Sequence, residues 1–399
     1  MRLYVVPFLA FLVIGIAIDG FIFKKLKNSS RWPRWAAPAH LALAAMLCVV
    51  ATVVAATPLK RVDNDTMVCC MYLIYGYYAV TIIKWVALGI YALSWIRRLK
   101  PWAQAAARGV SLAVALALAL TAVKGMLVTP YTSEVKEVSI EFADLPPAFD
   151  GYRIVQFSDT HLGFYRGDTT FISECVDKMN ALHPDLICFT GDLVSRTWEE
   201  AKPFVPVLSR LIAPDGVVSE RGNHDEGDYY DWPDSLHVGD RYPQLAAIER
   251  AMGWEMLDNS HKIIKRGKDE LVVMGVIHLS REHPPTDDYL AQAYPTYHDK
   301  TFKILLQHNP NEWRTRFQKR AHIQLMLAGH THALQMAINL WGHRLSPARW
   351  LYKEWGGLYH DRASDEYLYT NIGLGQVGIP ARIGDARPEI TVITLKRKR

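Results

Sequence analysis

The sequence predicts two parts of different kind: four membrane-spanning helices over residues 1–132, then an α/β domain over residues 133–399 built from two face-to-face sheets with helices outside. Three observations predict this. Four apolar stretches each approach the roughly 20 residues that cross a bilayer as a helix. From about Thr132 the composition turns mixed, and apolar strand-like runs alternate with an amphipathic helical pattern. Five short motifs rich in His and Asp each follow one of those apolar runs.

The stretches run from Leu3 to Phe23, Ala36 to Thr57, Met67 to Trp95 and Gly109 to Thr129. The first reads as a retained helix, because a lone Arg2 precedes it, no small-residue cleavage site follows, and Lys24-Lys25 close it. Residues 1–132 carry fourteen Lys and Arg against three acids, a net of +11, so the +5 of the whole chain leaves −6 for the remainder. The loop after span one holds Lys24, Lys25, Lys27, Arg31 and Arg34, and the loop after span three holds Arg97, Arg98, Lys100 and Arg108. By the positive-inside rule these loops face the cytoplasm. Both chain ends, and residues 133–399 with them, are then expected outside it, in a multi-pass inner-membrane protein. Asp19, Lys84 and Lys124 are the intramembrane charges, and their scarcity favours an anchor over a transporter.

In the second part, Ile154 to Phe157, Leu186 to Phe189, Phe302 to Leu306 and Ile323 to Leu327 read as strands. Asp168 to Leu182 has apolar residues at helical spacing and ends near Pro184. Leu271 to Val276 and Ile390 to Leu395 would complete the two sheets. Cys175 and Cys188 permit a disulfide without requiring one, since a core this size needs no staple. No basic run interleaved with aromatics appears here, which disfavours nucleic acid as a partner. The basic Lys396 to Arg399 end reads as solvated.

The motifs are Asp159-Thr160-His161, Gly191-Asp192, Gly222-Asn223-His224-Asp225, His308 and Gly329-His330-Thr331-His332. Loops at the C-terminal ends of sheet strands are where α/β proteins place ligands. Two divalent cations a few ångströms apart need a shared anionic ligand and outer oxygen or imidazole ligands. In Asp159-x-His161 the middle residue points away, so both flanking side chains can aim at one metal. Gly191 permits a tight turn before Asp192, whose carboxylate can bridge. Asn223 offers a neutral carbonyl oxygen, His224 an acid, and His330-x-His332 can serve two metals.

The ordered set D-x-H, GD, GNH plus an acid, H and G-H-x-H, with about 30 residues between the first three, resembles the calcineurin-like metallophosphoesterases over residues 150–399. The resemblance implies a four-layer α/β/β/α sandwich. It puts Asp159, His161 and His332 on one metal, Asn223, His308 and His330 on the other, and Asp192 between them. It further implies Mn, Fe or Zn as the divalent pair, and a metal-held hydroxide attacking phosphorus in line without a phosphoenzyme. His224, oriented by Asp225, would protonate the leaving oxygen or stabilise charge on the phosphoryl group. The C-terminal segments Gly356-Gly357-Leu358-Tyr359, Asn371 to Gly375 and Arg387 to Thr391 resemble the membrane-associated and exported branch of the family. That branch continues the fifth motif with two glycines and Gln, whereas this chain has Ala333-Leu334-Gln335, side chains expected to narrow that loop and so to alter the substrate pocket.

The expected activity is hydrolysis of a phosphoester, with a lipid-linked or envelope substrate suggested by the membrane part. The alternative is a sensor or transporter-linked domain that binds metal or ligand without turnover. Trp341 to Trp355 mixes aromatics and cations, which suits either a membrane interface or a packed loop. The other ten histidines read as surface or satisfied core residues, with His278 and His283 placed to reach the rim of the site.

Overall fold

The computed structural model describes residues 2–30, 32–232, 241–278, 288–318 and 320–398. The chain divides into two compact units, residues 1–123 and 124–399.

The first unit is helical: α1 (Arg2–Lys27), α2 (Ala36–Ala56), α3 (Asn64–Ala92) and α4 (Pro101–Leu127). Asp63 caps α3 by accepting from the Thr66 amide at 2.9 Å, which fixes where that helix starts. Among the described residues three helical segments are long and apolar enough to cross a membrane, Ala36–Ala56, Asn64–Trp95 and Pro101–Tyr131, where four were expected. Lys84 does not stand alone in its span. Its Nζ lies 2.6 Å from Asp19 Oδ1, and His40 Nε2 lies 3.3 Å from the same oxygen, so α1, α2 and α3 are joined by a polar cluster.

The second unit contains β1 (Glu134–Phe142), β2 (Arg153–Phe157), α5 (Thr170–Ala181), β3 (Leu186–Thr190), α6 (Val205–Leu208), β4 (Val217–Glu220), α7 (Arg241–Ala251), β5 (Glu255–Met256), β6 (Ser260–Arg266) and β7 (Asp269–Gly275). It continues with α8 (Tyr289–Ala293), β8 (Phe302–Leu306), β9 (Leu325–Ala328), β10 (Met336–Leu340), β11 (His343–Leu345), β12 (Gly357–Asp361), β13 (Glu366–Thr370), β14 (Ile383–Gly384) and β15 (Glu389–Arg397). One six-stranded sheet has the order β1-β15-β2-β3-β4-β5 and the other β12-β13-β9-β8-β7-β6. Their facing side chains, among them Ile154, Leu186, Cys188, Leu271, Ile304 and Leu325, form a shared interior. On the outer face of the first sheet Phe171, Cys175, Val176 and Met179 of α5 pack with Val155, Ile187 and Phe189. On the outer face of the second, Tyr289, Leu290 and Trp313 cover Val272, Met274 and Leu305. The layers are therefore helix, sheet, sheet, helix. The central strands are buried on both faces, which is why they read as unbroken apolar runs.

A third, three-stranded sheet, β11-β10-β14, had no clear sequence signal, because β14 is only two residues long. Cys175 and Cys188 are both buried free thiols.

Candidate metal centre

Each motif lies on the loop leaving the C-terminal end of β2, β3, β4, β8 or β9. Within each sheet these strands run parallel to one another, β2 with β3 and β4, and β8 with β9, so the loops emerge at common edges. The loop backbones are tightly wound. Asp159, His161, Asp192, His330 and His332 all have positive φ, between 44° and 74°. For residues with a side chain this region costs on the order of 1 kcal/mol or more each. Cross-links between loops hold it: the Asp159 amide donates to Gly191 O at 2.8 Å and the His161 amide to Asp192 O at 3.1 Å. Gly191 has φ 81°, and a Cβ there would lie 2.5 Å from Gly222 N and 2.7 Å from His308 Nδ1. No other residue fits that turn.

Three clusters result: Asp159 with His161 and His332, His161 with Asp192 and His224, and Asp192 with His308 and His330. In the first, His332 Nε2 is 3.1 Å from Asp159 Oδ1 and 3.0 Å from His161 Nε2. In the last, His308 Nε2 is 3.2 Å from Asp192 Oδ2 and 3.2 Å from His330 Nδ1. Asp192 Oδ2 also lies 3.6 Å from His161 Nε2, which puts its carboxylate between the two outer groups. Asn223 directs Nδ2 at the Tyr229 hydroxyl, 3.0 Å away, and leaves Oδ1 buried with no hydrogen-bond partner.

The ring nitrogens are assigned by their outer partners. Nδ1–H of His308 donates to Thr190 O at 2.8 Å, which leaves Nε2 turned to the cluster. His330 Nε2 lies 3.2 Å from the Tyr352 hydroxyl, which leaves Nδ1 inward. His224 donates from Nδ1 to Ser195 O at 2.7 Å and stacks on Tyr229, with ring centroids 3.9 Å apart.

Asp225 departs from the expectation. Instead of orienting His224, its carboxylate accepts from the backbone amides of Asp192 (2.7 Å), Gly222 (2.9 Å) and Val194 (3.1 Å). The reason is local. The second and third loops present three amides that need a buried acceptor, while Ser195 O already satisfies His224. The Trp341 to Trp355 segment is packed in part, which matches one of its two readings. Arg344 is committed inward to Glu134, Asp385 and Glu389, and Tyr352 reaches the site, while Trp341 (96% exposed) and Trp350 (82% exposed) remain outside. Ala333 turns its methyl into the interior, against Ala348, Trp355 and Ile372, while Leu334 is exposed. His278 approaches the rim, with its ring 6.0 Å from His308 and 6.1 Å from His330. His283 lies outside the described residues.

Arg382 had no sequence signal at all. Fully buried, it donates to the carbonyls of Ile372, Gly373, Gly375 and Ala386, and its Nη2 is 3.5 Å from His332 Nδ1. It straps the loop whose Leu374 and Gly375 amides hold the Ser158 and Asp159 carbonyls at 2.9 and 2.7 Å.

The electrostatics favour metal-binding protonation states in most of the set. Burial pulls His161 well below the ordinary imidazole range, lowers His224, and takes His330 down to about 3, so these rings are neutral with a free lone pair. Burial opposes ionisation of Asp159 and Asp192, yet the facing imidazoles hold both carboxylates below the usual range. Only His308 runs the other way. Burial would lower it, but Asp192 and Asp159 hold it well above. Converging imidazoles, a central carboxylate and the buried, unpartnered Asn223 Oδ1 fit an N,O-ligated divalent centre.

The family model described as calcineurin-like phosphoesterase matches residues 152–334. An uncharacterized metallophosphoesterase of Bacillus subtilis, YkuE, is 30% identical over 271 residues, covering 67% of this chain and 87% of that protein. A Danio rerio transmembrane protein with metallophosphoesterase domain is 32% identical, covering 74% of this chain, which spans 65% of that protein's length. The UDP-2,3-diacylglucosamine pyrophosphatase LpxG of Chlamydia trachomatis is 26% identical over 58% of this chain and 81% of its own.

Proposed function

The chain belongs to the calcineurin-like metallophosphoesterases, and from that premise we propose that it is a membrane-anchored phosphoester hydrolase using two divalent cations on a lipid-linked or envelope phosphoester. The observation that carries the two-metal reading is Asp192, whose carboxylate belongs to two of the three ligand clusters at once. Asp159, His161 and His332 would hold one cation, Asn223, His308 and His330 the other, with Asp192 shared. Cations bound there supply Lewis acidity toward phosphoryl oxygens and make water acidic near neutral pH.

The chain's own residues do the rest. His224, held by Ser195 O through Nδ1, keeps Nε2 for a proton exchanged with the leaving oxygen. Tyr229, stacked on it, fixes the ring plane. The basic loops after α1 and α3 support their placement in the cytoplasm, and the crossing by α4 that follows would leave the catalytic unit outside. The likeness to proteins named as a transmembrane protein with metallophosphoesterase domain and as a UDP-2,3-diacylglucosamine pyrophosphatase supports a substrate at the bilayer.

A second reading has one observation of its own. The Asp19–Lys84–His40 cluster is the kind of intramembrane polar group that marks transport or sensing, and it would make the metal domain a sensor's ligand-binding part. One experiment separates the two. The intact chain in detergent is assayed for bound metal and for turnover of aryl phosphomonoesters, aryl diesters and phospholipid, lipid A type and undecaprenyl phosphates. Metal-dependent turnover abolished by Asp192→Ala and cut strongly by His224→Ala supports the enzyme. Metal bound without turnover of any ester supports the sensor.

A further inference from the structure

The last turn of α1 and the chain after it form, with the last turns of α3, a cavity of about 810 Å³ in the first unit. Its apolar wall is Phe21, Ile22 and Leu88, and Tyr91, Trp95 and Trp32 add aromatic rings of the kind found at membrane interfaces. Its polar side is Lys24, Lys25, Asn28, Ser29 and Ser30. Among the described residues no Asp or Glu lines it. Lys25 is held 4.8 Å over the Trp95 ring, which itself packs edge-on to Phe21 at 5.5 Å, so the ammonium sits at the boundary between the apolar and polar walls. Two ammonium charges outweigh the roughly half negative charge that the C-terminal end of α1 contributes, so the cavity attracts anions.

Lys24 and Lys25, both exposed, stand at the edge of a half-open cavity that is apolar on one side and hydrogen-bonding on the other, the chemistry of one molecule with a phosphate head and a hydrocarbon tail. We propose that this cavity binds an anionic phospholipid, its phosphate between Lys24 and Lys25, its headgroup against Asn28 and Ser30, and an acyl chain along Phe21, Ile22 and Leu88. The proposal rests on the first unit being membrane-embedded. It is independent of the metal centre.

The test uses the intact chain in uncharged detergent, with lipid retention measured by native mass spectrometry. Phosphatidylglycerol should be retained roughly thirtyfold more than phosphatidylcholine, as two lysine contacts imply. Lys24→Gln with Lys25→Gln should bring the two lipids to parity, while Lys24→Arg with Lys25→Arg keeps the preference. Lys27→Gln, outside the cavity, should leave it unchanged. Parity in the unaltered chain, or a preference that survives the double Gln change, overturns the proposal. So does inorganic phosphate displacing the lipid at equal concentration, which would identify a site for the free anion. Release of the chain from membranes by carbonate washing would instead remove the membrane reading.

Discussion

The Tyr352 hydroxyl lies 3.2 Å from Nε2 of His330, and the ring's other nitrogen, Nδ1, lies 3.2 Å from Nε2 of His308. A tyrosine from the loop after β11 thus sets which nitrogen of a candidate ligand faces the cluster. Outer partners of this kind are worth about 10–100-fold in metal affinity or activity. Tyr352→Phe is expected to lower occupancy at the His308–His330 side by that order while leaving the melting midpoint nearly unchanged, read by metal titration and thermal melting of the same sample.

Arg382→Met would leave the carbonyls of Ile372, Gly375 and Ala386 buried without its donors, while Gly373 O keeps the Glu389 amide. At about 1–3 kcal/mol per orphaned group, with partial relaxation, a loss of at least about 3 kcal/mol is expected. Denaturant titration of the intact chain measures it. A loss below 1 kcal/mol would mean that the strap is not needed.

Asp225 holds amides rather than His224, so its loss should act through the loops. Asp225→Ala is expected to destabilise by about 2–4 kcal/mol and to strip metal, with Asp225→Asn intermediate. If the residue worked through His224 instead, Asp225→Asn would shift the pH–rate profile and leave the melting midpoint in place.

Ala333 and Leu334 occupy left-handed backbone, φ 53° and 47°, the region that glycine adopts without strain. Leu334→Gly should therefore be neutral or stabilising by up to about 1 kcal/mol, whereas Leu334→Val should cost about 1–2 kcal/mol, because branching at Cβ clashes in this region. Paired melting curves decide it.

Burial pushes Glu200 up to about 7, against the pull of the Ser195, Arg196 and Thr197 amides. The native state then keeps this proton after the unfolded chain, with its ordinary value of 4.5, has released it. Stability is highest below about pH 4.5 on this account and falls as the pH rises to about 7, by roughly 3 kcal/mol in all. Glu200→Gln should flatten that slope. A slope that persists in the variant would assign it to another group.

Much of the centre was legible because its ligands sit in short local patterns. An alternating pair such as Asp159-x-His161, or a glycine ahead of Asp192, carries its geometry within three residues, and the apolar runs before them mark strand ends. The strands were legible for the same reason, to within a residue or two: Leu325–Ala328 replaces the expected Ile323 to Leu327 because the chain joins the sheet later.

The sequence by itself determined the family, the candidate ligand set and a helical apolar first part, since each depends on residue type at fixed short spacing. Only the tertiary structure decided what holds that set in place. Tyr352 lies 22 positions from His330, Arg382 lies 50 from His332, and Asp225 bonds an amide 33 positions away. Such partners are ordinary hydroxyls, guanidiniums and carboxylates meeting generic backbone groups, so nothing local distinguishes them until the sheets bring them together. The same holds for Lys84, a lone charge along its helix that acquires Asp19 and His40 only when three helices pack.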